Sequence, residues 1–350
     1  MTERKNIKET VMPEKKFFTA IALTKQMAAS ILGTDELAFL QSFCATNPVE
    51  ELPEKLTQPF MEKIFIDADA CLTCWGTPNL TDELVASSPK LRLIAHAAGS
   101  VKSLVPSGYW RSGRRVTSNA PVIAEDVAQT VLAYILFVTR GLWVFAQSTK
   151  TGEWTGGEAS RFVTKRLNGL EVGVVGASHV GREVIKLLKP FGCVIRLYDP
   201  LISEIDAAAL GVARSGLDEL VSSCDVVTLH APAIESCRHM LNKNNLPLLK
   251  DGALLINTAR GTLIDEAALI AELETGRFFA CIDVTEPEPP PADHRFRSLA
   301  NVILTPHIAG GHTETGRRML GRNSINEIYN YLHKGVLNFE VRREMLETMA

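Results

Sequence analysis

The chain lacks an uninterrupted apolar run of bilayer length: its longest, Val127 to Thr139, is broken by Gln129 and Thr130 and reads as too short to span. Its opening, MTERKNIKETVMPEKK, mixes charges of both signs and has no apolar centre, so it does not read as a signal peptide. Residues 1–15 read instead as a frayed tail. An excess of one charge is missing too. Lys and Arg number 37 against 40 Asp and Glu, a net charge of −3, so nothing marks nucleic acid or an anionic membrane as a partner. Seven cysteines, an odd number widely scattered, do not make a disulfide framework and suit a reduced, cytoplasmic protein. The lone C-x-x-C, Cys71 and Cys74, has no companion pair and no strand-to-helix turn, and reads as small buried residues rather than a redox couple. Repeats and low-complexity segments are absent. No metal site is expected: His307 and His312 flank Gly310 and Gly311 without a ligand-spaced cysteine or carboxylate.

What is present is apolar material for two cores, 46% of 350 residues. Strand-like runs alternate with helical ones, which implies α/β architecture with parallel sheets covered by helices. "FFTAIAL" leads into a helical stretch to about Cys44, and "DELVASSP" precedes "LRLIAHAA". A long pattern from Ala124 to about Gln147 is apolar nearly all round, so it must be buried between domains or against a second subunit. A polar, Gly-rich connection, "TKTGEWTGGEASRFVTKRLNG", follows. Then come "EVGVVG", "CVIRLYD", "DVVTLHAP", "GALLINTARG", "RFFACIDV" and "NVILTP", with a helix from Asp265 to Thr275 closed by Gly276. A last helix runs from about Thr313 to His333 and ends at Gly335. These elements predict two doubly wound parallel-sheet domains. A Rossmann dinucleotide-binding domain, 121–304, is inserted in a discontinuous flavodoxin-like substrate domain, 16–120 plus 305–350.

"VGVVGASHVGREV" opens the inserted domain as a dinucleotide-binding turn would, except that Ser178 stands where the second glycine of G-x-G-x-x-G belongs. Gly176 suits the tight turn, and Gly181 suits close packing of helix on strand. Backbone N–H groups near His179 and Val180 open the helix where its dipole favours pyrophosphate. Ser178 adds little bulk and has a hydroxyl able to bond a phosphate oxygen. An acid is required about 20 residues further on, and Asp199 ends the next strand. A carboxylate there accepts from the ribose hydroxyls of NAD and repels the extra phosphate of NADP, so the expected cofactor is NAD.

Arg260, Asp283, Glu288 and His307 all follow strands of this domain, at the carboxyl ends where ligands of such sheets sit. "WGTPNLTDELVASSPKLRLIAHAAGS", "VGVVGASHVGREV", "HAPAIESCRHML", "LLINTARGTLIDEAAL", "IDVTEPEP" and "NVILTPHIAGG" together resemble the D-isomer-specific 2-hydroxyacid dehydrogenase family, from about Ala70 to about Gly335. The resemblance implies that Arg260 binds the substrate carboxylate and polarises its carbonyl, that His307 is the proton donor during keto reduction, and that Glu288 pairs with His307. It places Asp283 near the nicotinamide carboxamide, and the backbone N–H groups of Ala98 and Gly99 on the substrate carboxylate. Ala231, Pro232, Thr258, Ala259 and Gly310, with Arg260 and His307, fall in its cofactor-contacting motifs. The implied reaction is hydride exchange between NAD(H) and a small 2-oxo or D-2-hydroxy acid, in a cytoplasmic homodimer built across the long helix. Elementary chemistry agrees. An oxyanion formed by hydride arrival needs a proton and nearby positive charge, and a guanidinium fork suits a carboxylate. The departures from the family pattern are Ser178, His179 and "GSVKS", whose Lys102 reads as a solvated surface residue, with attraction of an acidic or phosphorylated substrate as the other reading. The alternative is an NAD-sensing binding protein of corepressor type, with the same fold and little turnover.

Overall fold

A computed structural model describes residues 17–154 and 164–349. The expected tail, 1–15, and the stretch 155–163 of the Gly-rich connection lie outside the described residues. The chain forms two compact units. The first takes the chain as far as Ala97, then Val101–Ser118 and Leu320–Glu340; the second holds Ala98–Ser100, Asn119–Met319 and the chain from Val341.

In the first unit the strands are β1 (Phe17–Ala22), β2 (Cys44–Thr46), β3 (Ala70–Thr73), β4 (Leu93–His96) and β5 (Arg115–Ser118). In the second they are β6 (Glu171–Val175), β7 (Val194–Tyr198), β8 (Ala213–Arg214), β9 (Val226–Leu229), β10 (Leu254–Asn257), β11 (Phe279–Ile282) and β12 (Val302–Leu304), and β13 (Glu340–Val341) follows. The first sheet is ordered β13-β5-β4-β3-β1-β2, with β1 to β5 parallel. Its 2-1-3-4-5 core is the flavodoxin-like order expected. The second sheet, β12-β11-β10-β9-β6-β7-β8, is parallel throughout and has the Rossmann order, with its switch point between β6 and β9.

Both faces of the second sheet are covered, so its strands are apolar on both sides. Leu254 and Ile256 join Val172, Val174, Ile185 and Leu188 in one core, while Leu255 joins Val227, Leu229, Leu269 and Phe278 in the other. Period two along β10 thus feeds two cores.

The structure corrects three expectations. The long helix is two, Ala120–Thr139 and Leu142–Lys150, because Gly141 takes the left-handed conformation (φ 66°) and stops the first. By length and composition the first could cross a membrane, but its Val127, Ala128, Val131, Ile135 and Val138 are core residues of the second unit. The helical stretch before β2 likewise breaks into Lys25–Ile31 and Thr34–Phe43. Finally, the return to the first unit falls at Leu320 rather than at 305. Side chains of the second unit hold the intervening segment: Asp283 accepts the Ile308 and Ala309 N–H groups at 2.9 Å, Thr130 donates to the Ala309 carbonyl at 3.0 Å, and Asp126 accepts from the Thr313 hydroxyl at 3.1 Å.

The helix after β10 is as read, Glu266–Glu274, with Asp265 capping the Ala268 N–H at 3.2 Å and Gly276 at φ 73°. Cys71 and Cys74 are free and buried, and Cys74 Sγ donates to the Ala97 carbonyl. Burial pushes the Cys71 thiol well up, the opposite of a reactive cysteine.

Candidate active site

Every residue singled out in the second sheet lies at a strand's carboxyl end. At the switch point Gly176 has φ 102°, and a Cβ there would stand 2.8 Å from the Ala231 nitrogen and the His230 carbonyl. The turn after β6 and the end of β9 therefore meet backbone to backbone. A Cβ on Gly181 would lie 2.0 Å from the Gly176 oxygen, so only glycine lets the helix His179–Leu188 start this close to its strand.

Ser178 is the N-cap of that helix, its Oγ accepting the Gly181 N–H at 3.3 Å. The residue that breaks the glycine pattern thus fixes the helix start. His179 and Val180 follow as the first helical residues, whose N–H groups have no intrahelical partner. Asp199 closes the turn from the β7 side, accepting the Ala177 N–H at 2.7 Å and the Leu201 N–H at 2.8 Å. Two carboxylate oxygens offer about four acceptor sites, so capacity remains for ribose hydroxyls. Beside Ala231 and Pro232, burial pushes the imidazole of His230 down to about 3, and its Nε2 lies 3.0 Å from the Thr228 hydroxyl.

After β10, Asn257 holds the loop from both sides: its Oδ1 accepts the Ala259 N–H at 3.1 Å and its Nδ2 donates to the Arg260 carbonyl at 2.9 Å. Thr258 is buried, and its hydroxyl has no hydrogen-bond partner among the described residues. A Cβ on Gly261 would stand 2.2 Å from the Thr285 carbonyl carbon. This glycine brings the Arg260 loop onto the loop that carries Glu288.

After β11 and β12, the buried carboxylate of Asp283 accepts the Thr305 hydroxyl at 2.5 Å as well as the Ile308 and Ala309 N–H groups. Its carbonyl accepts the His307 N–H at 2.8 Å. His307 sits inside this bracket at φ 53°, a conformation uncommon for residues other than glycine. Its Nδ1 lies 2.5 Å from Glu288 Oε1. Burial pushes the Arg260 guanidinium below its ordinary range while Glu288 pulls it back up. Glu288 therefore couples electrostatically to one cation and hydrogen-bonds the imidazole, and the three residues form one group. Gly310 packs on Ile123 and Val127 with no room for a side chain. Ala98 is buried in the same unit, and its carbonyl accepts the Asn119 N–H at 2.9 Å. A Cβ on Gly99 would meet only Ile123, at 3.7 Å.

Residues that no motif singled out are Asn257, Thr305 and Tyr134, whose hydroxyl lies 2.8 Å from that of Thr305. Asn257 had the clearest signal, an amide at a strand end before a turn.

The glycine cradle, the orphan hydroxyl of Thr258 and the Asp199 carboxylate fit a dinucleotide, with its pyrophosphate at the helix start and a ribose at Asp199. The model of the NAD-binding domain of the D-isomer specific 2-hydroxyacid dehydrogenases matches residues 132–309. The chain is 32% identical over 287 residues to a hydroxypyruvate reductase of Thermotoga maritima, covering 81% of this chain and 91% of that one. It is 34% identical over 301 residues to a D-3-phosphoglycerate dehydrogenase of Methanocaldococcus jannaschii, covering 85% of this chain but only 56% of that longer protein. In fold it is similar to the D-lactate dehydrogenase of Lactobacillus jensenii solved with NAD+, with a TM-score of 0.78 at 22% identity over 93% of this chain and all (100%) of that one. The chain belongs to the D-isomer specific 2-hydroxyacid dehydrogenase family, an enzyme family whose NAD-binding domain is the seven-stranded unit seen here.

Proposed function

We propose that the protein reduces a small 2-oxo acid to the D-2-hydroxy acid, and runs the reverse oxidation, with His307 as general acid and base. The observation that carries this reading is the group of three: His307 Nδ1 at 2.5 Å from Glu288, and Glu288 coupled to Arg260. Bound NADH supplies the hydride. Arg260 presents its fork to the substrate carboxylate and places positive charge beside the carbonyl oxygen. Glu288, hydrogen-bonded to Nδ1, leaves Nε2 of His307 to give its proton to that oxygen. Asp283 keeps the His307 backbone in its bracket, and the Ala98–Gly99 backbone completes the carboxylate site. A homodimer across the helix Ala120–Thr139 is part of the same reading, supported by the exposure of Phe137 on that helix and of Leu142 at the start of the next.

The test is NADH oxidation by the purified protein against glyoxylate, hydroxypyruvate, pyruvate, phosphohydroxypyruvate and branched 2-oxo acids, with NADPH in parallel. Turnover of at least one acid is expected, with a roughly 10- to 100-fold preference for NADH set by charge repulsion at Asp199. Silence across the panel with tight NADH binding would overturn the reading in favour of an NAD-sensing binding protein.

The close approach at Gly261 gives a second test. In Gly261→Ala, the new methyl group meets backbone rather than a flexible side chain, so the Arg260 loop must move away from Glu288. A displacement of about 1 Å at a reacting group costs on the order of 100-fold in rate. A fall of that size in kcat/KM is expected, with NADH affinity by fluorescence titration changed far less. Unchanged kinetics would mean that the two loops need not touch.

A further inference from the structure

The loop that carries Glu288 reads Glu286-Pro287-Glu288-Pro289-Pro290-Pro291. Proline has no N–H, so this stretch offers the protein only two backbone donors, those of Glu286 and Glu288. Few handles exist by which such a segment can be held in one place, and the acceptor for the Glu286 N–H matters accordingly. That acceptor is Oε1 of Glu266, at 2.8 Å, on the first residue of the helix Glu266–Glu274.

The other oxygen of Glu266 faces a histidine. Its Oε2 lies 3.2 Å from Nε2 of His294, and the two side chains are only 15% and 14% exposed. Nδ1 of the same imidazole accepts the Phe296 N–H at 3.4 Å, capping the short turn Arg295–Arg297. An imidazole that accepts at Nδ1 must donate at Nε2. The ring therefore has one tautomer and points one proton at Glu266, which in turn fixes which oxygen is left for Glu286. Phe296, 2% exposed, holds the ring edge-on at 4.8 Å. One other tie lies close to Glu288, the Thr285 hydroxyl donating to the Pro287 carbonyl at 2.9 Å, but it is internal to the loop and anchors it to no other element; the rest fall elsewhere. Arg238 pairs with the Glu286 carboxylate at 3.1 Å with both side chains substantially exposed, and Arg297 reaches the Pro290 and Pro291 carbonyls.

We propose that Glu266 and His294 are positioning residues for the catalytic pair: a partly buried histidine–carboxylate couple that holds the Glu286 N–H and so sets where Glu288 meets His307. The proposal rests on the catalytic reading of Glu288 and His307 given above. Neither residue touches the reacting atoms, and both act through the backbone two residues before Glu288.

The experiment compares wild type with Glu266→Ala, Glu266→Gln and His294→Leu by two readouts. The first is the ring ¹⁵N shifts of His307, detected through its carbon-bound protons at alkaline pH without added cofactor and assigned with His307→Asn. With Glu288 in place, the proton sits on Nδ1; without that partner the ring drifts to the other tautomer. The second is steady-state kinetics. Glu266→Ala is expected to lose the Nδ1–H signature and to lower kcat by about 10- to 100-fold, with KM for NADH within about threefold. Glu266→Gln has one acceptor oxygen for two donors, the Glu286 N–H and the His294 Nε2–H, so it is expected to recover the signature and kcat only in part, falling between Glu266→Ala and wild type. A merely structural role would lower Tm and leave the His307 shifts and kcat where they were. Retention of the wild-type signature in Glu266→Ala overturns the proposal. Should that variant fail to fold, the same signature in His294→Leu decides, its loss supporting the proposal and its retention overturning it. Wild-type protein that turns over no 2-oxo acid defeats the catalytic reading alone, since the ¹⁵N shifts report the positioning without turnover.

Discussion

Replacing His307 with asparagine is expected to lower kcat for 2-oxo acid reduction by about 1000-fold, with NADH affinity within about twofold of wild type. Asparagine is the informative substitution because position 307 has φ 53°, a conformation asparagine tolerates far better than most residues. The Asp283 bracket on Ile308 and Ala309 then stays closed, and the variant removes the proton donor rather than the loop. Glu288→Gln keeps the shape of the imidazole's partner but removes the charge that stabilises an imidazolium, and its kcat should fall between those of wild type and His307→Asn. Arg260→Gln should act mainly on KM for the oxo acid, by about 10- to 100-fold, the worth of charge-assisted bonds to a carboxylate. The three act as a unit, so Glu288→Gln combined with His307→Asn should cost little more than His307→Asn alone. Loss of NADH binding together with turnover in His307→Asn would show that the residue holds the fold of the crevice, and would remove it from the chemistry.

These residues were legible in the sequence for different reasons. Arg260, Glu288 and His307 each follow a strand, and strand ends of a doubly wound sheet converge by topology alone, so order along the chain placed them near one another. Asp265 and Gly276 bound their helix through local chemistry that any window of the sequence contains. Ser178 was legible as a tolerable substitution but not as a helix cap, because its Oγ bond to the Gly181 N–H depends on where the helix begins. The break at Gly141 was hidden by apolar residues that continue on both sides of it; periodicity reports faces and is silent about a single left-handed residue. The return at Leu320 was hidden because Asp283 and Asp126 lie far along the chain from the segment they tie. Glu266 and His294 were illegible for the same reason: two ordinary polar residues acquire a task only when the proline-rich loop, itself poor in donors, folds onto them.

Acidification from pH 7.5 to 5 is expected to remove about 2 kcal/mol of stability from each unit through one buried histidine apiece. In the first unit His96 lies 2.9 Å by its Nδ1 from the Thr73 hydroxyl, and burial pushes it down to about 4; in the second, burial pushes His230 down to about 3. Unfolded, each titrates near 6.5. Below that value the unfolded chain takes up protons that the folded chain refuses, so the stability present above about pH 6.5 is lost progressively as the pH falls towards the folded-state values. At pH 5 the separation from 6.5 is about 1.5 units, and at 1.36 kcal/mol per unit this gives the 2 kcal/mol stated, whatever the folded value so long as it lies below 5. Urea unfolding at the two pH values, followed by Trp75 and Trp110 in the first unit and Trp143 and Trp154 in the second, reads both losses. In His230→Asn the second unit should become less stable at pH 7.5 yet lose far less on acidification, and His96→Asn should do the same for the first. A pH dependence undiminished in both variants would assign the acid sensitivity to other groups. His230 adds a consequence for binding, since its backbone and that of Ala231 meet Gly176 at the dinucleotide turn. Its folded-state value of about 3 keeps it uncharged there down to pH 5, so the dinucleotide turn should stay intact over this range and the acid effect of this histidine should appear in unfolding rather than in NADH affinity.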